Sequence, residues 1–313
     1  MSLRVVFMGT PDFSVPTLEA LIASGYEVAG VFTQPDKPKG RGGKVQFSPV
    51  KEAALRHGIP VIQPKKIRLD GVEPLRALKP DVCVTAAFGQ ILSEEVLSIP
   101  PMGTVNVHAS LLPRHRGASP VHWAILQGDE KTGVTTMLSD KGIDTGDMLL
   151  KAECPILPED TAGTLLEKLA DMGAKLLVET LRRLEAGDCP REKQDASLAT
   201  YDAMLSKEMG LVDFASPTRD CLLRVRAMNP WPCAYAALAE GALKLWRAAK
   251  ADGGGVPGTV LAADKARGLV VATGDGAMEI QELQAPGGKR MDARAFLLGH
   301  PIETGIALSE VRL

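Results

Sequence analysis

For about its first 185 residues the chain alternates short apolar runs with segments whose apolar residues recur at helical spacing, and that alternation leaves few architectures open. Residues 3–8 form an apolar run that ends in Gly9-Thr10-Pro11, a strand followed by a turn. Val15, Leu18, Leu21 and Ile22 share one face of a helix spanning Ser14 to Ser24, which Gly25 closes. Val28 to Thr33 is the next strand, and Ser48-Pro49 opens another helix with a capping residue ahead of a first-turn proline. Val61-Ile62, Asp81 to Ala86, Thr104 to Val107, Thr132 to Leu138 and Asp147 to Lys151 read as further strands. Thr161 to Glu185 is a long helix that ends at Gly187-Asp-Cys-Pro190. Strands and helices in this order predict an α/β domain on a mainly parallel, Rossmann-like sheet.

The texture then changes. A polar stretch has linker character, and a helix follows from Pro217 to Arg226. Five short alternating runs come after Asn229-Pro-Trp-Pro232, separated by glycine-rich turns, and they predict a small OB-like β-barrel. The expected boundaries are 1–188 for the first domain, 189–205 for the linker and 206–313 for the second. A chain of 313 residues is long for one hydrophobic core, which agrees with two domains.

Composition excludes more than it selects. The net charge of −2 provides no global basic field, so a nucleic-acid site would have to be a local patch. The five cysteines are scattered and form no C-x-x-C pair, which argues against a disulfide framework or a zinc site and for a reduced, cytoplasmic setting. No secretory signal and no run near the roughly 20 apolar residues of a membrane span is present. We expect a monomer without a metal.

The first turn, Gly9-Thr-Pro-Asp-Phe-Ser14, lacks G-x-G-x-x-G, and no G-x-x-x-x-G-K-[ST] occurs, so a dinucleotide or nucleotide-hydrolysing site is not indicated. The chemistry gathers elsewhere. Asn106 and His108 lie two apart near the end of a strand and so share a face. The carboxyl ends of such strands are where open α/β sheets place ligands. Further on, Asp140-Lys-Gly-Ile-Asp144-Thr-Gly-Asp147 is a compact acidic loop.

An amide, an imidazole and a carboxylate can serve acyl transfer to an amine without a serine or cysteine nucleophile. Asn106 can donate to the developing oxyanion, His108 can do the same or deliver a proton, and Asp144 can orient His108 and take the amine proton. Each also has a plainer reading: His108 as a packed core residue, Asn106 as a turn cap, Asp144 as an Asx-turn. The single Asp-Thr-Gly does not make an aspartic protease, which needs two such carboxylates.

The segment Asn106-Val-His-Ala-Ser-Leu-Leu-Pro-Arg-His-Arg-Gly-Ala118, followed by Gly142-Ile-Asp-Thr-Gly-Asp147, resembles the signature of the 10-formyltetrahydrofolate-dependent formyltransferases. Phe7-Met-Gly-Thr-Pro-Asp-Phe13 and Gly30-Val-Phe-Thr-Gln-Pro-Asp36 extend the resemblance to the members that act on charged initiator tRNA. It covers nearly the whole chain, more loosely after about residue 205. The resemblance implies that Asn106, His108 and Asp144 are catalytic and that Ser110, Leu111, Leu112 and Pro113 line the site of the 10-formyltetrahydrofolate cosubstrate. It places the apolar wall for the pteridine at Phe88, Gly89, Ile91 and Leu92, although Phe88 and Ile91 could equally be core.

Asp36-Lys-Pro-Lys-Gly-Arg-Gly-Gly-Lys44 carries Lys37, Lys39, Arg41 and Lys44 with no apolar residue, a composition that predicts a mobile surface loop suited to phosphate contacts. An equivalent loop recognises the acceptor end of tRNA in the family this chain resembles, which makes Arg41 the leading RNA contact and methionyl initiator tRNA the expected partner. Lys207 matches a lysine that the family places near bound tRNA. From Ser206 onward there are 13 Lys and Arg against 12 Asp and Glu, a net of +1, so charge alone does not mark the second domain as an RNA binder. Trp231 and Trp246 read as core more readily than as stacking platforms. A sugar-nucleotide N-formyltransferase, a non-catalytic RNA-binding protein and a formate-releasing hydrolase are the competing functions.

Overall fold

The computed structural model describes residues 2–39, 44–239 and 241–311. Arg41 lies outside the described residues, as do the side chains of Lys39 and Lys44. Contacts divide the chain into two compact units.

The first unit comprises the chain up to Pro120, with Lys131–Pro155 and Leu166–Asp202. Its strands are β1 (Arg4–Gly9), β2 (Glu27–Phe32), β3 (Lys37–Lys39), β4 (Lys44–Gln46), β5 (Val61–Ile62), β6 (Val82–Ala86), β7 (Thr104–His108), β8 (Arg116–Gly117), β9 (Lys131–Leu138), β10 (Met148–Pro155) and β11 (Tyr201–Asp202). Seven of them form one sheet in the order β10-β9-β7-β6-β1-β2-β5. Pairs from β7 through β5 are parallel, whereas β9 and β10 continue antiparallel. A central parallel strand is covered on both faces and reads as unbroken apolar sequence. Accordingly Val5, Val6, Phe7 and Met8 of β1 are all fully buried.

Helices α1 (Val15–Ala23), α2 (Pro49–Arg56), α3 (Val72–Ala77) and α4 (Glu94–Leu97) fill the connections between the parallel strands. Ser48 caps α2 by accepting from the Lys51 amide, with Pro49 in the first turn as its sequence predicts. Helix α5 (Pro120–Leu126) precedes β9, and the long α6 (Ala162–Ala186) follows β10. Within α6, Gly173 lies so close to the sheet that an added Cβ would sit 2.7 Å from Val107 Cγ1. The residue between Asn106 and His108 is thereby clamped from behind.

The flanks of the basic segment depart from a plain loop: β3 and β4 pair antiparallel as a three-residue hairpin, with Lys37 opposite Gln46. Polar, cationic residues cannot be buried, yet nothing prevents their backbones from pairing at the surface.

The stretch expected to be a linker also departs from an unattached connection. Glu192 bridges antiparallel to Met148, with Met148 N donating to Glu192 O at 2.8 Å and Glu192 N to Met148 O at 2.9 Å, and β11 pairs parallel with β8. Composition signals polarity but says nothing about which backbone groups find partners.

The second unit comprises Val121–Glu130, Ile156–Leu165 and the chain from Ala203 onward. After α7 (Thr218–Ala227), the strands β12 (Ala234–Leu238), β13 (Gly241–Ala251), β14 (Val260–Asp264), β15 (Gly268–Thr273), β16 (Gly276–Gln284) and β17 (Met291–Asp292) form an antiparallel, barrel-like sheet in the order β12-β13-β16-β15-β14, with β17 on β16. A short helix, α8 (Ala293–Leu297), follows, capped by Asp292. Trp231 is 54% exposed rather than in the core. It sits in the turn between α7 and β12, outside any pleat or helical face that would bury it. Trp246 is partly buried under the Arg290 guanidinium, 4.8 Å from its ring.

Candidate active site

Strand β7 ends the parallel part of the first sheet, and its last turn carries Asn106 and His108. Thr85 on β6 is in register with Asn106, and its hydroxyl donates to the Asn106 amide oxygen at 2.9 Å. With its oxygen engaged, the amide presents its N–H groups outward, and Nδ2 lies 3.5 Å from Asp144 Oδ1. His108 is 6% exposed, with Nε2 lying 2.8 Å from the His115 carbonyl oxygen. A carbonyl has only lone pairs to offer, so Nε2 carries a hydrogen, and Nδ1 faces Asp144 Oδ1, 3.7 Å away.

Asp144 is brought to this point by backbone that favours few residues. Its φ is +53°, a left-handed conformation that aspartate tolerates better than most side chains. Gly146 passes so close to β9 that a Cβ would fall 1.8 Å from Leu138 O. Asp140 closes the loop, accepting from Gly142 N at 3.0 Å and Thr145 Oγ1 at 2.7 Å. The second carboxylate oxygen of Asp144 accepts from Gly117 N at 2.9 Å. The three predicted groups therefore converge around one point at the rim of the sheet.

The loop after β7 is folded back on itself. Ser110 is fully buried and its hydroxyl donates to Arg114 O at 2.7 Å; Thr135 donates to Ser110 O at 2.7 Å and accepts from Leu112 N at 3.1 Å. Leu112 packs into a buried cluster with Met137 and Met148. Ser110 and Leu112 thus shape the loop from beneath, while Leu111 and Pro113 are only partly buried. On the other flank Phe88 is buried among Val6, Met8 and Phe32, with Leu92 packed against that cluster. Gly89 is exposed at φ +75°, and Ile91 is 74% exposed, a large aliphatic side chain left facing water. Gln34 holds this flank in place by donating to Phe88 O at 3.2 Å and Gly89 O at 3.1 Å.

Several positions that the residue pattern did not single out support the trio. Beyond the loop after β7, His115 and Arg116 are buried, 3% and 4% exposed, while Arg114 is exposed. His115 Nδ1 lies 2.9 Å from Asp202 Oδ2, and its backbone N–H donates to Thr200 Oγ1 at 2.7 Å. Thr85 could have been suspected from its place at the end of a strand beside β7. Thr200 and Asp202 carry no local signal, because their partners lie 85 and 87 residues away. Lys37 and Lys207 are exposed. Among the described residues no group of three or more His, Cys, Asp or Glu side chains is placed to hold a metal ion, and no helix is long and apolar enough to cross a membrane.

Residues 3–181 match the formyl transferase family, and residues 204–301 match the formyl transferase C-terminal domain. The methionyl-tRNA formyltransferase of Trichlorobacter lovleyi is 51% identical over 306 residues, covering 97% of this chain and 96% of that one. The chain belongs to the methionyl-tRNA formyltransferase family. The Symbiobacterium thermophilum methionyl-tRNA formyltransferase is similarly related, 50% identical over 311 residues with 98% and 95% of the two chains covered.

Among solved structures, HypX from Aquifex aeolicus in complex with tetrahydrofolic acid superposes with a TM-score of 0.66 at 19% identity, over 95% of this chain and 47% of that one. An N-formyltransferase from Helicobacter canadensis in complex with folinic acid and dTDP-3-aminofucose gives 0.67 at 18% identity, over 88% and 98%. At such identities the likeness speaks to the fold alone. Methionyl-tRNA formyltransferases are matched end to end, whereas this chain spans about half of HypX.

Proposed function

We infer that this chain moves the formyl group of 10-formyltetrahydrofolate onto the α-amino group of methionyl initiator tRNA, with Asn106, His108 and Asp144 as its catalytic groups. The observation that carries this reading is their convergence: Asn106 Nδ2 and His108 Nδ1 lie 3.5 and 3.7 Å from the same carboxylate oxygen of Asp144. In this reading the His108 ring acts in its neutral form, so that Nδ1 and the Asp144 carboxylate, 3.7 Å apart, both accept hydrogen bonds. Such a pair is complementary to a group bearing two hydrogens, as an amine does.

In this reading Asn106 donates to the formyl oxygen as the carbon becomes tetrahedral. His108 Nδ1 accepts the proton the amine loses as its nitrogen bonds to the formyl carbon, and returns it to the folate nitrogen as the old C–N bond breaks. Asp144 holds the amine in line and offsets the transient imidazolium charge. Exposed Ile91 and Ile143 suit a flat heteroaromatic ring, and Gly89 lets backbone approach it closely. Leu111 and Pro113 are partly buried and open to a ligand, with Ser110, Leu112, Phe88 and Leu92 supporting from the core. The complexes of HypX with tetrahydrofolic acid and of the Helicobacter canadensis enzyme with folinic acid are in keeping with such a donor.

Residues 1–188 would carry the chemistry and 206–313 would bind RNA, aided by Lys37, Lys39, Arg41, Lys44 and Lys207. Phosphate contacts release counterions, so affinity for tRNA should fall with salt. Five free cysteines agree with a reduced cytoplasmic setting, where we expect a monomer. The test supplies labelled 10-formyltetrahydrofolate with charged initiator tRNA, charged elongator tRNA or an amino-sugar nucleotide. Label on initiator methionine supports the reading; label on the sugar or release as formate contradicts it.

A further inference from the structure

The segment 189–202 does more than join two domains. Gln194 extends its side chain under the loop that carries Asp144, and its amide Nε2 donates to Asp144 O and to Gly146 O, each at 2.8 Å. Its Oε1 in turn accepts from Arg116 Nε at 2.9 Å and Nη2 at 2.8 Å. Arg116 is buried and is itself held by the Tyr201 hydroxyl, 2.9 Å from Nη1, beneath whose ring the guanidinium lies at 5.5 Å. Every polar atom of the Gln194 amide is thus spoken for, and the chain of bonds runs from Tyr201 through Arg116 to the two carbonyls flanking Thr145.

Those carbonyls belong to backbone that would not hold its shape unaided. Asp144 sits at φ +53°, a region from which a non-glycine residue relaxes unless its surroundings fix it. Two donors on one planar amide fix the Asp144 and Gly146 carbonyl directions together, and with them the direction in which the Asp144 side chain leaves the backbone. From this we propose that Gln194 is a positioning residue for formyl transfer, acting by holding Asp144 toward Asn106 and His108. It rests on the reading that Asp144 is catalytic.

The test is a cycle of variants assayed at saturating folate and charged tRNA. Gln194→Glu retains the acceptor for Arg116 but turns two donors into oxygens facing two carbonyls, and Gln194→Leu removes all four bonds at nearly constant volume. A misplacement of about 1 Å can cost about a hundredfold, so kcat should fall roughly 10- to 100-fold in either variant. KM for both substrates should stay within about threefold, and tetrahydrofolate binding should remain as a check on folding. Because Gln194 acts through Asp144, Gln194→Leu combined with Asp144→Asn should be no slower than Asp144→Asn alone. Multiplying losses in the double variant, or a kcat within about threefold of the parent in Gln194→Glu, would overturn the proposal. Full activity in Asp144→Asn would instead sink the catalytic reading, and the proposal with it.

Discussion

Thr85 and Asn106 face each other across two parallel strands, and the threonine hydroxyl donates to the asparagine amide oxygen at 2.9 Å. An amide turned the other way would aim its oxygen at the Asp144 carboxylate, lone pair against lone pair. The hydroxyl therefore decides which end of Asn106 faces Asp144 and, in the proposed reading, the formyl group.

Thr85→Val keeps the shape of the side chain and removes that donor. A hydrogen bond of this kind contributes about 1 kcal/mol, so we expect roughly a fivefold to tenfold fall in kcat with KM little changed. Steady-state kinetics at saturating tRNA checks it; an unaltered kcat would show that Asn106 is oriented by other means.

Asp36 lies at the base of the basic hairpin, where hydrogen bonds from Lys51 first and Gln63 second hold its carboxyl below the usual range. A carboxylate depressed on folding adds stability above its unfolded value of about 3.9 and loses it as pH falls through the folded value. Lys51→Met should therefore lower Tm near neutrality, with the gap to the parent closing below about pH 4. A gap that is constant with pH would mean that Lys51 stabilises by packing alone, for example over Phe47, whose ring it approaches to 3.9 Å.

His122 on α5 is pushed down to about 4, chiefly by burial, with a hydrogen bond to the Trp231 backbone opposing the shift. Its Nδ1 is buried with no partner among the described residues. Since the unfolded ring takes up a proton near pH 6.5, stability present above that value drains away as pH falls toward 4, by at most about 3 kcal/mol. Denaturant melts of the parent and of His122→Gln across this window should diverge, with the variant less sensitive to acid. Parallel slopes would contradict the assignment.

The alternation of apolar runs and helical spacing was enough to read the sheet, because a doubly covered parallel strand such as β1 has no choice but to be apolar throughout. That Asn106 and His108 share a face followed from their spacing on one strand, whereas their reading as catalytic groups with Asp144 came from the motif shared with the formyltransferases. The supporting residues were not legible. Gln194 sits in a polar stretch with no periodicity, and its partners, Asp144 and Arg116, are 50 and 78 residues away. Nor does composition reveal that His115 and Arg116 are buried, because the groups that satisfy them (Gln194, Thr200, Tyr201 and Asp202) come from that same distant segment.

In the proposed reading His108 Nδ1 receives a proton from the attacking amine. The single-turnover rate of His108→Ala with saturating 10-formyltetrahydrofolate and charged initiator tRNA tests it most directly. A loss on the order of 10²–10³ in rate, with both substrates still bound, is expected. A variant that formylates within about threefold of the parent rate would remove His108 from the chemistry and contradict the account.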